Sequence, residues 1–172
     1  MKRVLGLGVL IGVVAIALSG CGSSSSGAPL SPSAILKSDA ATKVVHLELA
    51  ANETTSFSGF NFDGYGGGAM RVSVPVGWTV DVTCVNDSTT LAHSCAIVDG
   101  GPLTPIGGTI AFPGASIPNP VNGLGLGASA SFQFVASKVG TYRIDCLVIG
   151  HEADGMWDWF DVTPTGLPSV HI

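Results

Sequence analysis

From Val44 onward the chain alternates apolar and polar residues with the two-residue period of a half-buried strand. Val45, Leu47 and Leu49 fall on one side, His46 and Glu48 on the other. Short runs rich in β-branched and aromatic residues predict further strands over 69–74, 79–85, 94–98, 129–135, 141–147 and 159–163. Gly, Pro or Asn-Asp pairs punctuate them, and this rhythm predicts an all-β sandwich or small barrel. Residues 99–128 break it, with five prolines (Pro102, Pro105, Pro113, Pro118, Pro120) and eight glycines. A connection that long exceeds an ordinary hairpin loop and reads as an insertion packed over one edge of the domain. No internal repeat of useful length is present.

The N-terminus follows a different pattern. Met1-Lys2-Arg3 precedes an uncharged apolar run over 4–18, shorter than the ~20 residues a spanning helix needs, as in an export signal. The run ends in Leu18-Ser19-Gly20-Cys21, which resembles the lipobox of bacterial lipoproteins. That resemblance implies a signal peptide over 1–20, cleavage before Cys21 and lipid attachment to that residue. The alternatives are an ordinary signal peptide or an uncleaved N-terminal anchor with an incidental cysteine. Ser23-Ser24-Ser25-Ser26-Gly27, followed by Pro29 and Pro32, offers little apolar surface. Residues 21–40 are therefore expected to form a flexible tether, with the folded domain over 41–172.

Composition narrows the function. Apolar residues make up 46% and charged residues 11%, with a net charge of -5. Loss of Lys2 and Arg3 with the signal leaves five cations against twelve anions, a charge of -7. No basic cluster exists beyond the first three residues, which argues against nucleic acid as a partner. The chemistry concentrates in Cys146-Leu147-Val148-Ile149-Gly150-His151-Glu152-Ala153-Asp154-Gly155-Met156, where a thiolate, an imidazole and a thioether are each separated by four residues. His93, after the polar turn Asn86-Asp87-Ser88, supplies a second imidazole. Two nitrogens, one strong and one weak sulfur form the donor set of a trigonal copper site with a long axial bond to Met. Zinc is the next alternative, but zinc sites favour harder or more numerous sulfur ligands. Met70, on a predicted strand far from the loop, is assigned to the core. A binuclear copper centre would want a second cysteine in the loop, and a copper enzyme with a second metal site would want more than the four histidines present.

These residues resemble those of the cupredoxins, and among them the sulfocyanins. The spacing Cys146-x4-His151-x4-Met156 is also similar to the metal loops of rusticyanin and auracyanin. Phe60-Asn61-Phe62-Asp63-Gly64-Tyr65 is similar to the Phe-Asn-Phe-Asn-Gly stretch of sulfocyanins, with Asp63 in place of the second Asn. Val74-Pro75-Val76-Gly77-Trp78 running into Val80-Asp81-Val82-Thr83 adds to the likeness. The resemblance implies a Greek-key β-sandwich, one copper ion cycling between Cu(I) and Cu(II), ligands His93, Cys146, His151 and Met156, and electron exchange with a respiratory donor and a terminal oxidase or similar acceptor. It implies that Ser94 hydrogen-bonds across to the cysteine loop. It also implies that His151 lies nearest the surface as the electron's exit, within an apolar rim for docking.

With Cys21 lipidated and Cys146 on copper, Cys84 and Cys95 remain. They are candidates for a disulfide, and two buried free thiols are the alternative. Glu152, Asp154, Asp158 and Asp161 are expected to form an acidic or merely solvated face, and His46 and His171 to be surface histidines. Trp157 and Trp159 are expected in the core or at the rim. The expectation is thus an exported, lipid-anchored monomer facing the periplasm or cell exterior, an electron carrier rather than an enzyme. Copper storage or delivery is the competing function, and the small number of methionines, three in all, weighs against it.

Overall fold

The computed structural model describes residues 27–104 and 107–172; the expected signal over 1–20 and the lipidation site Cys21 lie outside the described residues. The described strands are β1 Leu36–Asp39, β2 Val44–Ala51, β3 Arg71–Pro75, β4 Thr79–Asn86, β5 Ala96–Asp99, β6 Ser129–Val135, β7 Gly140–Asp145, β8 Trp157–Thr163 and β9 Ser169–His171. They form a four-stranded sheet, β1-β2-β4-β6, and a five-stranded sheet, β5-β7-β8-β3-β9. The β2/β4 and β3/β8 pairs are parallel, the remaining pairs antiparallel. All seven strands predicted from the alternation are present, with ends displaced by at most two residues.

Alternation explains the layering. Val45, Leu47 and Leu49 of β2, Val80 and Val82 of β4, and Phe132 and Phe134 of β6 are buried, as are Val72, Val74, Phe160 and Val162 of the second sheet. They form one core, in which the rings of Phe134 and Phe160 lie 5.8 Å apart between the sheets. Each such side chain contributes about 1.5–3 kcal/mol by leaving water. Strand β7 departs from alternation, because Tyr142 through Asp145 are all buried. Ile144 joins the core, whereas the Arg143 guanidinium donates to the carbonyl of Gly101, in the segment after β5.

That segment runs beside β5. Asp99 N–H donates to Thr109 O at 2.8 Å, Ala111 N–H to Ile97 O at 2.9 Å, and Ile97 N–H to Ala115 O at 2.8 Å. The Pro/Gly-rich stretch thus pairs with a strand edge that would otherwise be open. It also adds Phe112, Ala115 and Ile117 to the core.

Residues 27–40 of the segment expected to be a flexible tether pack on the domain. Leu30 N–H donates to Asp63 O at 2.9 Å, and Pro32–Ile35 is a helical turn with Ile35 fully buried. Strand β1 then pairs antiparallel with β2, Leu36 opposite Leu47. Two adjacent apolar residues, Ile35 and Leu36, anchor a segment whose Ser, Gly and Pro content reads as unfolded. Strand β9, unforeseen in the sequence, pairs with β3 over only three residues.

The segment 60–65 is a tight two-residue hairpin. Phe62 and Tyr65 exchange N–H···O bonds of 2.8 and 2.7 Å, with Asp63 and Gly64 between them at φ 56° and 88°. Asp-Gly suits this mirror-image turn because both central residues take positive φ. Asp63 Oδ1 accepts from Ala50 N–H at 2.8 Å, while buried Oδ2 has no partner. Burial pushes its pKa well above the ordinary carboxylate value; the Ala50 bond opposes this, and Glu48, Glu53 and Asp158 add to it. A carboxyl raised in the folded state gives stability that is complete below the unfolded value, near 3.8, and lost as pH rises through the folded value. Asp63→Asn keeps the acceptor and removes the charge, so it is expected to stabilise the domain by about 1–3 kcal/mol at neutral pH. Urea unfolding at pH 7 and pH 3 checks this, with the gain vanishing at the lower value.

Candidate metal centre

The four candidate donors meet at one end of the sandwich. His93 lies just before β5, where its N–H and C=O bond Leu124 O and N–H at 3.3 and 2.7 Å. Asn86, at the end of β4, fixes both flanks of His93 through its side-chain amide, which reaches Leu91 O at 3.0 Å and Leu124 O at 2.9 Å. Cys146 directly follows β7, and Met156 directly precedes β8. The loop between them closes through Cys146 N–H to Met156 O at 3.2 Å, His151 N–H to Val148 O at 3.1 Å and Met156 N–H to His151 O at 2.9 Å. Gly150 and Gly155 turn this loop at φ 92° and 98°.

Donor atoms of His93, Cys146 and His151 all lie within 4.8 Å of one another. Cys146 Sγ stands 3.3 Å from His151 Nδ1, and Met156 Sδ stands 3.1 Å from His93 Nδ1. Cys146 and Met156 are wholly buried, His93 is 1% exposed and His151 7%, so the ring of His151 lies nearest the surface. Ser94 joins the two segments: its N–H points at Cys146 Sγ at 3.2 Å, its hydroxyl at 3.6 Å, and its Oγ accepts from Leu147 N–H at 2.8 Å. Phe60 sets its ring edge-to-face against His151 at 4.9 Å and against His93 at 6.2 Å. Burial lowers the pKa of His93 to about 4, aided by His151, and burial lowers that of His151 against the pull of Asp154. Burial raises the Cys146 thiol, with the Ser94 N–H opposing it. Neutral imidazoles beside a buried thiol are the protonation states a soft metal ion requires, since binding then displaces only the thiol proton.

Residues 31–165 match the sequence model of the family described as the Sulfocyanin (SoxE) domain. The chain belongs to the sulfocyanin family, within the cupredoxins. It is 32% identical over 123 residues to sulfocyanin of Sulfolobus acidocaldarius, covering 67% of this chain and 61% of that protein. The chain thus spans less than two thirds of the length of that relative. Among solved structures, rusticyanin from Thiobacillus ferrooxidans is 26% identical with a TM-score of 0.50, over 75% of this chain and 86% of that one. Auracyanin from Roseiflexus castenholzii is 27% identical with a TM-score of 0.49, over 69% and 97%.

One copper ion is the cofactor the family and this donor set have in common. A thiol, two imidazoles and a thioether, buried and convergent, suit Cu(I) and Cu(II) better than zinc. Met70 is fully buried within the core cluster, and Asp158 Oδ1 accepts its backbone N–H at 2.8 Å. Cys84 of β4 and Cys95 before β5 form a disulfide with Cα atoms 5.9 Å apart, tying one sheet to the other behind His93.

Glu152, Asp154, Asp158 and Asp161 do not form the acidic or solvated face expected of them. Glu152 is 1% exposed, its Oε1 held by the Arg143 guanidinium and its Oε2 by Thr104 N–H at 2.7 Å. Asp158 is buried against Met70 N–H, and Asp161 pairs with Arg71 at 2.6 Å; of the four, Asp154 alone is exposed. Arg143 was not singled out from the sequence, where a lone arginine inside a strand carries no signal. Here it touches three elements: β7, the ligand loop through Glu152, and the insertion through Gly101. Asp145 Oδ2 lies 3.8 Å from the same guanidinium. Arg143→Met would leave two buried carboxylates uncompensated and is expected to destabilise the protein by about 3–5 kcal/mol. Urea unfolding measures this, and adding Asp145→Asn is expected to recover part of the loss.

Proposed function

We propose that the protein is a membrane-tethered single-electron carrier of a respiratory chain, with His93, Cys146, His151 and Met156 holding one copper ion in a blue (type 1) site. The observation that carries this reading is the convergence of the three strong donors within 4.8 Å in a buried pocket, with the weak thioether beside them. Bound copper alternates between Cu(I) and Cu(II) and supplies one electron at a time. The Cys146 thiolate gives the strong donor, and Ser94 steadies it with N–H and O–H groups that share its charge. The two imidazoles, wedged by Phe60 and by each other at 4.8 Å, stay in place in either oxidation state. The burial of the whole set favours retention over release, which separates a carrier from a storage or delivery protein. His151, the most exposed of the four, is the exit for the electron, with exposed Leu91, Val121, Leu126 and Ile149 as candidates for the rim where a donor or a terminal oxidase docks.

Among the described residues no helix is long and apolar enough to cross a membrane. Attachment is assigned to lipid on Cys21, placing the domain on the periplasmic or outer side as a monomer. The test is a visible spectrum of the chain after addition of Cu(II). An intense thiolate-to-copper band, bleached by ascorbate and lost in Cys146→Ser, is expected; a folded protein that keeps copper without this band would refute the blue-site assignment. Met156→Leu is expected to keep the colour and raise the reduction potential, because loss of even a weak donor disfavours Cu(II) more than Cu(I).

A further inference from the structure

We infer that the metal-binding end of the domain, not the opposite end, is held at the membrane surface, so that electrons are exchanged with a protein partner seated in or on that same surface. The inference rests on the reading of Cys21 as the anchor, and deepens it by fixing which face the anchor presents.

The point of entry of the chain into the fold carries the argument. Gly27 lies beside Glu53, whose carboxylate a Cβ at Gly27 would meet at 3.3 Å. Pro29 lies against Gly64, and Leu30 is bound by Asp63 O and by the Tyr65 hydroxyl at 3.0 Å. All these partners belong to the loop between β2 and β3, the loop that sets Phe60 on His151. The same loop meets the ligand loop directly, Gly67 N–H donating to Gly155 O at 2.8 Å. Glu53 in turn interacts with Asp87, which follows the end of β4 on the way to His93. The opposite end, where β6 finishes at Val135 and β7 begins at Gly140, lies a strand length away. For the eight-residue strands β2 and β4 that is about 27 Å.

Chain length does the rest. From Cys21 to Gly27 are six residues, which reach about 20 Å when fully extended. A tether running to residue 40 would have reached about 70 Å and let either end approach the membrane. With the shorter reach, the loops around the metal stay near the surface while the far end is free to stand away.

Charge selects a protein over the lipid itself as occupant. The described cations are Lys37, Lys43, Arg71, Lys138 and Arg143. Arg143 is buried, Arg71 is paired with Asp161, Lys43 and Lys138 sit at the far end beside Thr79 and Tyr142, and Lys37 lies on β1 opposite His46. The metal end presents exposed Asp154 and half-buried Glu53 and Asp87 beside exposed Leu91, Val121, Leu126 and Ile149. Acidic and apolar surface is not drawn to anionic headgroups, but it complements a partner with basic residues around an apolar centre. Each exchange moves one electron and makes no bond: Cu(I) is oxidised to Cu(II) as the partner's centre is reduced by one electron, or the reverse.

The test uses the full lipidated chain, loaded with Cu(I), on phosphatidylcholine vesicles carrying a headgroup quencher. A fluorophore is placed at Leu126→Cys on the metal end or at Val139→Cys on the far end, both exposed positions. Flotation with the vesicles and severalfold stronger quenching at position 126 are expected. Equal or reversed quenching in a chain that floats would overturn the orientation while leaving the anchor intact. A chain that does not float would overturn the anchor reading and this inference with it. A flexible Gly/Ser insert after Gly22 that triples the reach is expected to slow electron exchange with washed host membranes severalfold, through lower effective concentration, without changing the rate with ferricyanide. An unchanged rate with membranes would overturn the membrane-surface partner.

Discussion

A buried thiolate must be hydrogen-bonded, and at Cys146 the principal donor is a residue 52 positions earlier in the chain. Ser94 offers its backbone N–H and its hydroxyl to the sulfur and accepts the next backbone N–H with the same oxygen. This geometry depends on the antiparallel register of β5 and β7, which sets Ala96 opposite Asp145 and so brings the residues beyond both strand ends together. A slip of one residue would turn every side chain to the other face and separate serine from sulfur. The disulfide between Cys84 and Cys95 holds the same corner from the other sheet. The pairing of strands is therefore a condition for the site, not only a scaffold beneath it.

The second constraint is charge in a dry place. Arg143 is 1% exposed, with Glu152 and Asp145 beside it. Burial pushes the Asp145 pKa up to about 8, with Glu152 adding to the shift and Arg143 opposing it. A cluster of this kind is weak as a source of net stability, because desolvation offsets most of the attraction. Its value lies in geometry. The planar guanidinium fork accepts few arrangements of its partners, and here those partners belong to the ligand loop and the insertion. The residue next to His151 is thus held by a directional contact that apolar packing would not supply.

The period-two alternation showed the core strands, because a strand with one buried face leaves that imprint on its sequence. The metal loop was equally legible, since thiol, imidazole and thioether at regular spacing have few other uses. What stayed hidden had no local signature. Strand β1 sits in a Ser/Pro-rich segment and is held by Ile35 and by pairing with β2, a long-range event. Glu152 and Asp158 look like surface carboxylates until Arg143 and the Met70 backbone are placed beside them. Phe60 is one of seven phenylalanines, and only the fold sets it on the two imidazoles. Its loop also keeps Phe57 and Ser58 at φ 51° and 55°, conformations costly for side-chain-bearing residues that persist only where surrounding contacts impose them.

The glycines of the insertion serve its packing over the edge of the domain, as expected from its sequence. In the insertion, a Cβ on Gly107 would stand 2.2 Å from Leu147 Cδ2, and one on Gly123 would stand 2.9 Å from the carbonyl oxygen of His93. These glycines let the insertion press against the backbone that carries both ligand segments, so they serve close approach rather than mobility. The Asp63-Gly64 turn makes the same use of the residue on the other side of the site, where Pro29 and Thr54 crowd the position a side chain would occupy. Water is kept from the donors by backbone packed at short range, and the glycine content of these segments is what that packing requires. The Pro/Gly-rich insertion is, at this end of the molecule, part of the wall.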